Sequence, residues 1–273
     1  MNARAIPAHS THAPAPTPSP RLPLYLCSGR HLRVERDGPA LSVHKPDKAP
    51  VLYPLARLSR IICTPAVHWS GVALSACMQA GAPIVLLGKD GPIGYMQPVQ
   101  AHPSRLDAAL DELLDRPDGV TRYREWLRAE RMRVLKNWMV ERVQAGESVK
   151  MQTWKELVRR FVYLAEPPLQ GLDGAALLQA ALYAYTLQRV HQAGLRAQYM
   201  GLNAERLRLA ADLSELLALA LRLELEGMGA RAQADTSTWL NILHRVSRRQ
   251  EERLREHLGR LHRHLATLFE EWQ

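Results

Sequence analysis

The sequence predicts an α+β chain, with a small N-terminal β-rich domain followed by a larger all-α domain. Three observations carry that expectation. Short apolar and β-branched runs, separated by Gly, Pro and Asp, fill the chain from Leu22 to about Val99. From Ser104 onward the apolar residues recur at helical spacing instead. Between the two stands "QAHPSRLDAALDEL", where the period changes.

The elements follow in order. Residues 1–21 are rich in Pro, Ala, Ser and Thr and lack the apolar core of a signal peptide, so a disordered tail is expected. In 22–100, "LYLCS", "HLRVER", "ALSVHK" and "RIICT" read as short strands. "WSGVALSACMQAG" reads as a short helix from Val72, Leu74, Cys77 and Met78, stopped at Gly81. "APIVLLGKDG" reads as a buried strand ending in a turn. In 104–273, helices are predicted over about 104–114, 122–144, 151–165, 174–193, 204–226 and 235–271. Ser104, with Asp107 three residues later, is a variant of the capping box. "EPPLQGLDG" breaks the helical run. The last helix spaces Leu254, Leu258, Leu261, Leu265 and Leu268 by fours and threes, a heptad-like seam.

Composition bounds the function. The chain has 273 residues, 47% of them hydrophobic, which is enough to build a core. Against 27 acidic residues stand 36 Lys and Arg, a net charge of +9, which suits a polyanionic partner. Three widely spaced cysteines, Cys27, Cys63 and Cys77, form no metal pair and no disulfide framework, and a reducing cytoplasm is the expected setting. No apolar run approaches the roughly 20 residues of a membrane span, so no membrane partner is expected. "GKDGPIG" lacks the spacing of a phosphate-binding P-loop. His257 and His264 share a helical face, but the leucines beside them favour core over a metal site.

Two stretches carry the remaining interest. Asp212 and Glu215, three apart on a Leu-rich helix, share one side of it. Partly buried, they would require cations or a metal; on a surface helix they would face water. Glu156, in "WKELVRRFVYL", adjoins the apolar face marked by Trp154, Leu157, Phe161 and Leu164. Arginines crowd the helix at 122–144 and the last helix. Each group reads either as a solvated face or as a track for backbone phosphates. Trp126 and Trp138 read as core aromatics rather than base-stacking platforms.

Taken together, "LYLCSGRHLRVERDGPALSVHK", "YPLARLSRIICTPAVHWSGVALSACMQAGAPIVLLGKDGPIGYM", "AYTLQ", "GLRAQYMGLN" and "LAADLSEL" resemble, in that order, the CRISPR adaptation integrase, the universal "Cas-one" endonuclease of spacer acquisition. The resemblance covers about residues 24–225. It implies opening hairpins, a β-domain that pairs two copies into a homodimer, and a small ferredoxin-like second adaptation protein as partner. It implies a single Mg²⁺ or Mn²⁺ held by a Glu, a His and an acid from separate helices. The Glu, with an aromatic seven residues on, matches Glu156 and Tyr163. The family's Asp-Leu-x-Glu stands intact from Asp212 to Glu215. Its "G-L-D-P-x-x-G-F-L-H" is similar to residues 194–203, which puts Asn203 at the His position.

Other departures accompany Asn203. Leu157 replaces a Gly, Leu178 an Asn and Ala218 an Arg. An Asn carbonyl suits a hard ion such as Mg²⁺ but supplies no imidazole nitrogen. The resemblance therefore implies a metal-dependent DNA endonuclease and integrase with Glu156, Asn203 and Glu215 as ligands and Asp212 beside them. A 3′-hydroxyl of the spacer precursor would attack the boundary of the CRISPR repeat. Arg122, Arg124, Arg128 and Arg131, with Arg245, Arg248 and Arg249, would hold the duplex. The alternative is a degenerate scaffold of the same fold that binds DNA or partners without cutting. A third reading sets the resemblance aside for a basic α+β protein that binds RNA or a partner chain.

Overall fold

A computed structural model of the chain describes residues 21–27, 31–99, 104–172, 174–202, 207–227 and 236–271, without the side chains of 236–248. The predicted tail (all but Arg21), Asn203, and the side chains of Arg245 and Arg248 thus lie outside the described residues. The α+β expectation holds: the strands lie between Leu22 and Met96, and helices follow from Arg105.

Two four-stranded sheets share the N-terminal part. The first sheet runs β1 (Leu22–Leu26), β5 (Leu58–Cys63), β7 (Ile84–Leu87), β8 (Pro92–Met96); β1, β5 and β7 are parallel and β8 is antiparallel. The second runs β4 (Val51–Pro54), β3 (Ala40–His44), β2 (Arg33–Asp37), β6 (His68–Trp69). The implied opening hairpins are only partly realised. β2 and β3 form one, turning at Gly38, whose φ of +53° suits a residue without Cβ. β1 instead joins the other sheet beside β5. The reason lies in burial on both faces. Ile61, Cys63 and Ile84 enter a core shared with helix α1 (Gly71–Gln79) and the second sheet, while Ile62 and Val85 enter the helical core.

The helical part comprises α2 (Arg105–Leu114), α3 (Gly119–Gln144), α4 (Met151–Val158), α5 (Ala175–Gln192), α6 (Leu209–Gly227) and α7 (Thr236–Glu271). Helix α5 lies against β5, β7 and β8. There Arg60 stands over the Tyr185 ring at 5.1 Å and donates to Gln188 at 3.2 Å. Helix α3 begins earlier than its periodicity suggests. Gly119 makes that possible, because a Cβ there would lie 1.8 Å from the Leu113 carbonyl oxygen. The helix predicted over 151–165 is α-helical only to Val158. It closes in a π turn, Arg159–Tyr163, followed by Ala165 at φ +50°.

The heptad seam of α7 is core: Leu254, Leu261, Leu265 and Leu268 are buried with α2, α3, α5 and α6. Trp126 is buried in the same core, and Trp138 packs in a smaller one with Leu135, Leu157 and Phe161. Burial pushes the thiols of Cys27 and Cys63 up to about 11 and that of Cys77 to about 12, so all three stay protonated and unreactive. Among the described residues no helix is long and apolar enough to cross a membrane.

Candidate functional site

Among the described residues helix α6 is the most buried helix, with α3, α5 and α7 packed against it. Its small residues Ala210, Ala211, Ala218 and Ala220 admit those neighbours closely. On one side it carries Asp212, almost fully buried, and Glu215, partly so. The reading of a partly buried acidic pair in need of cations is the one realised.

The cations are guanidinium groups. Tyr123 of α3 donates its hydroxyl to Asp212 Oδ2 at 3.0 Å. Arg208, one turn before Asp212, donates to Asp212 Oδ1 at 3.2 Å and lies 3.7 Å from Glu215. Arg131 of α3 closes on Glu215 Oε2 at 2.8 Å. Two carboxylates and two guanidiniums make the cluster electrically balanced. Burial nonetheless holds both carboxyls above their ordinary range, and the arginines offset only part of that cost. Burial and the neighbouring Asp212 push the Tyr123 hydroxyl well up, so it remains a neutral donor.

The segment leading to this site is pinned from α2. Ser104 caps α2 by accepting from the Asp107 amide at 3.2 Å, as its sequence predicts. The second half of the capping box does not form. The Asp107 carboxylate is buried and turns to Arg196 instead, accepting from its amide at 2.8 Å and its Nε at 2.5 Å. Arg196, Gln198 and Tyr199 all reach Asp111, and Tyr183 donates to the Met200 carbonyl. Residues 194–202 are thereby held up to the edge of Asn203.

Glu156 is placed differently. It is half-exposed on α4 and grips Arg159, three residues on, through two bonds of 2.9 and 2.7 Å. Hydrogen bonding from Arg159 holds its carboxyl below the usual range. Neighbouring Leu157 packs with Leu135 of α3 and with Leu219 and Leu223, which follow Glu215 on α6. Among the described residues Glu156 makes no hydrogen bond or ion pair with Asp212 or Glu215.

The other departures from the family pattern share one fate. Leu157, Leu178 and Ala218 are all buried in apolar cores. Hydrocarbon therefore stands at the three positions to which the resemblance assigns Gly, Asn and Arg. Among the described residues, which leave out Asn203, no divalent-metal ligand set is assembled. The carboxylates have guanidinium partners, and among the described residues no three His, Cys, Asp or Glu converge as a ligand group.

The arginines expected on DNA divide. Arg124 and Arg128 are exposed on α3 and have no ion-pair partner among the described residues. Arg122 pairs with Asp118 at 3.2 Å, and Arg249 lies 3.5 Å from Glu224. Arg131 points at Glu215. Sequence reasoning missed Tyr123 and Arg208. Arg208 could have been found, because it stands four residues before Asp212; Tyr123 has no local signal.

It also missed a second buried cluster. Glu130 of α3 and His257 of α7 are both nearly inaccessible and bond at 2.7 Å. Arg260 donates to both Glu130 oxygens at 3.1 and 2.9 Å, and Arg133 reaches one at 2.5 Å. Burial alone would push the Glu130 carboxyl up, but the bonds from His257 and Arg260 hold it below the usual range.

No protein-family model matches the chain, and no curated protein matches it. Solved structures do. A Cas1 protein from Thermotoga maritima aligns over 89% of this chain and 96% of its own, with 15% identity and a TM-score of 0.64. A casposase bound to an integration product aligns over 90% and 91%, with 11% identity and a TM-score of 0.57. A chain of a Cas6-RT-Cas1–Cas2 complex aligns over 90% of this chain and 35% of its own, at 12% and 0.54. At such identities the likeness is one of fold, and it spans both the sheets and the helices.

Proposed function

We propose that this chain is a Cas1-type protein that serves DNA integration by holding double-stranded DNA, with an ion-paired brace where the fold's catalytic centre would be. The observation that carries this reading is the network Arg131–Glu215–Arg208–Asp212–Tyr123. Guanidiniums there do for the carboxylates what a metal would do elsewhere, and the bonds tie α3 to α6. The DNA share rests on the net charge of +9 and on Arg124 and Arg128, which have no ion-pair partner among the described residues, together with the fold common to the casposase bound to its integration product. Pairing of two copies through the β-domain and a Cas2-type partner belong to the same proposal. The latter follows the Cas6-RT-Cas1–Cas2 complex.

A second reading keeps the chemistry: a spacer-inserting endonuclease and integrase, with Glu156, Asn203 and Glu215 as Mg²⁺ or Mn²⁺ ligands. It is favoured by the intact Asp-Leu-x-Glu turn on α6. The two readings separate in one experiment. The wild-type chain, Glu215→Ala and Asn203→His are incubated with branched DNA and Mg²⁺ or Mn²⁺. Salt-sensitive binding without cutting or joining is the expected outcome. Metal-dependent cutting or joining by the wild type, abolished by Glu215→Ala, would overturn the scaffold and establish the integrase.

A further inference from the structure

We propose that the π turn closing α4 is a stacking platform for an unpaired base of single-stranded DNA, with Tyr163 as the ring that stacks. Tyr163 is 68% exposed and Leu164, beside it, 54%. Residues seven apart share a face of an α-helix, so an unbroken α4 would lay Leu164 beside buried Leu157. The wider turn carries it out instead. The Leu164 amide donates to the Arg159 carbonyl, five residues back, at 2.9 Å.

The turn is braced on its far side as well. The Glu166 amide donates to the Arg160 carbonyl at 3.0 Å, across Ala165 at φ +50°. The side chains of Arg160 and Glu166 close the same turn at 2.7 Å, and Arg160 lies over the ring of buried Phe161 at 5.1 Å. Left-handed backbone at a residue other than Gly is strained, and it persists only where its surroundings enforce it. An aromatic and an aliphatic side chain are thus held out in water on a fixed backbone, a preorganised surface rather than a loose end.

Charge sets the class of ligand. Lys155, Arg159 and Tyr163 follow one another by fours, and all three are exposed. Arg159 is balanced by Glu156, and Arg160 by Glu166. Lys155 has no ion-pair partner among the described residues, nor has Lys150 at the start of α4. Residues 150–166 therefore keep two uncompensated positive charges. An exposed ring beside uncompensated cations suits a ligand that is anionic along its backbone and aromatic in its side groups, which is nucleic acid. Stacking in a duplex covers the faces of its bases, so the ring selects an unpaired one. An apolar protein surface would answer Tyr163 and Leu164 but leave both lysines unmatched. The choice of DNA rests on the DNA-binding reading above.

The test uses the full chain and a short single strand carrying 2-aminopurine, whose fluorescence falls when the base stacks. The wild type should bind the strand and quench it. Tyr163→Ala should weaken binding about tenfold and abolish the quench, as loss of one stacked base would. Tyr163→Phe, which keeps a ring, should retain both. Duplex affinity and the unfolding midpoint should stay at wild-type values in both variants, because Tyr163 is exposed. Lys155→Gln should lower the salt slope of single-strand binding by about 0.7.

A quench by Tyr163→Ala equal to that of the wild type, or a loss that Tyr163→Phe shares, would overturn the platform. Duplex binding without single-strand binding would overturn it too, while leaving the DNA-binding reading intact. A smaller oligomer in Tyr163→Ala, read by sedimentation, would give the turn to contacts between copies and overturn the platform in their favour. Failure of the wild type to bind either form of DNA would overturn the DNA-binding reading, and this inference with it.

Discussion

Tyr123 donates its hydroxyl to a carboxylate that almost no water reaches, so the bond has no substitute. Tyr123→Phe should therefore cost about 1–3 kcal/mol, the penalty for leaving Asp212 short of a donor, read by thermal or denaturant unfolding. The pH dependence of the pair has a definite sign. Asp212 and Glu215 are held above their unfolded values, near 4, so the folded chain binds their protons more tightly than the unfolded one. Their contribution is complete below the unfolded value and is lost as pH rises through the folded one. Asp212→Asn combined with Glu215→Gln should thus gain stability relative to wild type as pH rises from about 4 to 7. A gap that stays constant across that window would contradict the burial argument. The acids themselves were visible in the sequence from their spacing of three. Their partners were not, because Tyr123 and Arg131 lie 89 and 84 residues away and no local pattern encodes such pairing.

Among the elements, α3 does two jobs. Its start depends on Gly119, where any Cβ meets the Leu113 carbonyl. Gly119→Ala should force the α2–α3 turn apart and cost at least about 1–3 kcal/mol, as overpacking does, read as a fall in the unfolding midpoint. Along its length α3 presents Tyr123 and Arg131 to α6 and Glu130 to α7. Removing the carboxylate in Glu130→Ala leaves Arg260, Arg133 and His257 facing one another. A loss of roughly 3–5 kcal/mol is expected for an orphaned buried charge, less whatever the partly exposed arginines recover from water. The heptad seam of α7 was legible as an apolar stripe, yet only packing shows that it faces its own chain. The same limit appears at β1, whose apolar run predicts a strand without saying that its neighbour is β5 rather than β2.

At the scale of the molecule, the first sheet shares one core with the helical layer through Ile62, Val85 and α5, and another with the second sheet through Ile61, Cys63 and Ile84. The exposed cations of α3 lie on the outside of that body. If they contact DNA phosphates, the logarithm of duplex affinity should fall linearly with the logarithm of salt concentration. Arg124→Gln with Arg128→Gln should then reduce the slope by about 2, near 0.9 per phosphate contact. An unchanged slope would move the DNA surface elsewhere. By itself the sequence determined the α+β class, the change of period near Ser104, the helices and most strands, and the acidic pair on α6. These follow from periods of two and 3.6 residues, which report which face of an element is buried. The tertiary structure alone decided what each buried face meets. It put guanidiniums on Asp212 and Glu215, left Glu156 on the surface with Arg159, and filled the positions of Leu157, Leu178 and Ala218 with core. The energy of a buried charge depends on distances of a few ångströms between residues far apart in the chain, and periodicity carries no record of those distances.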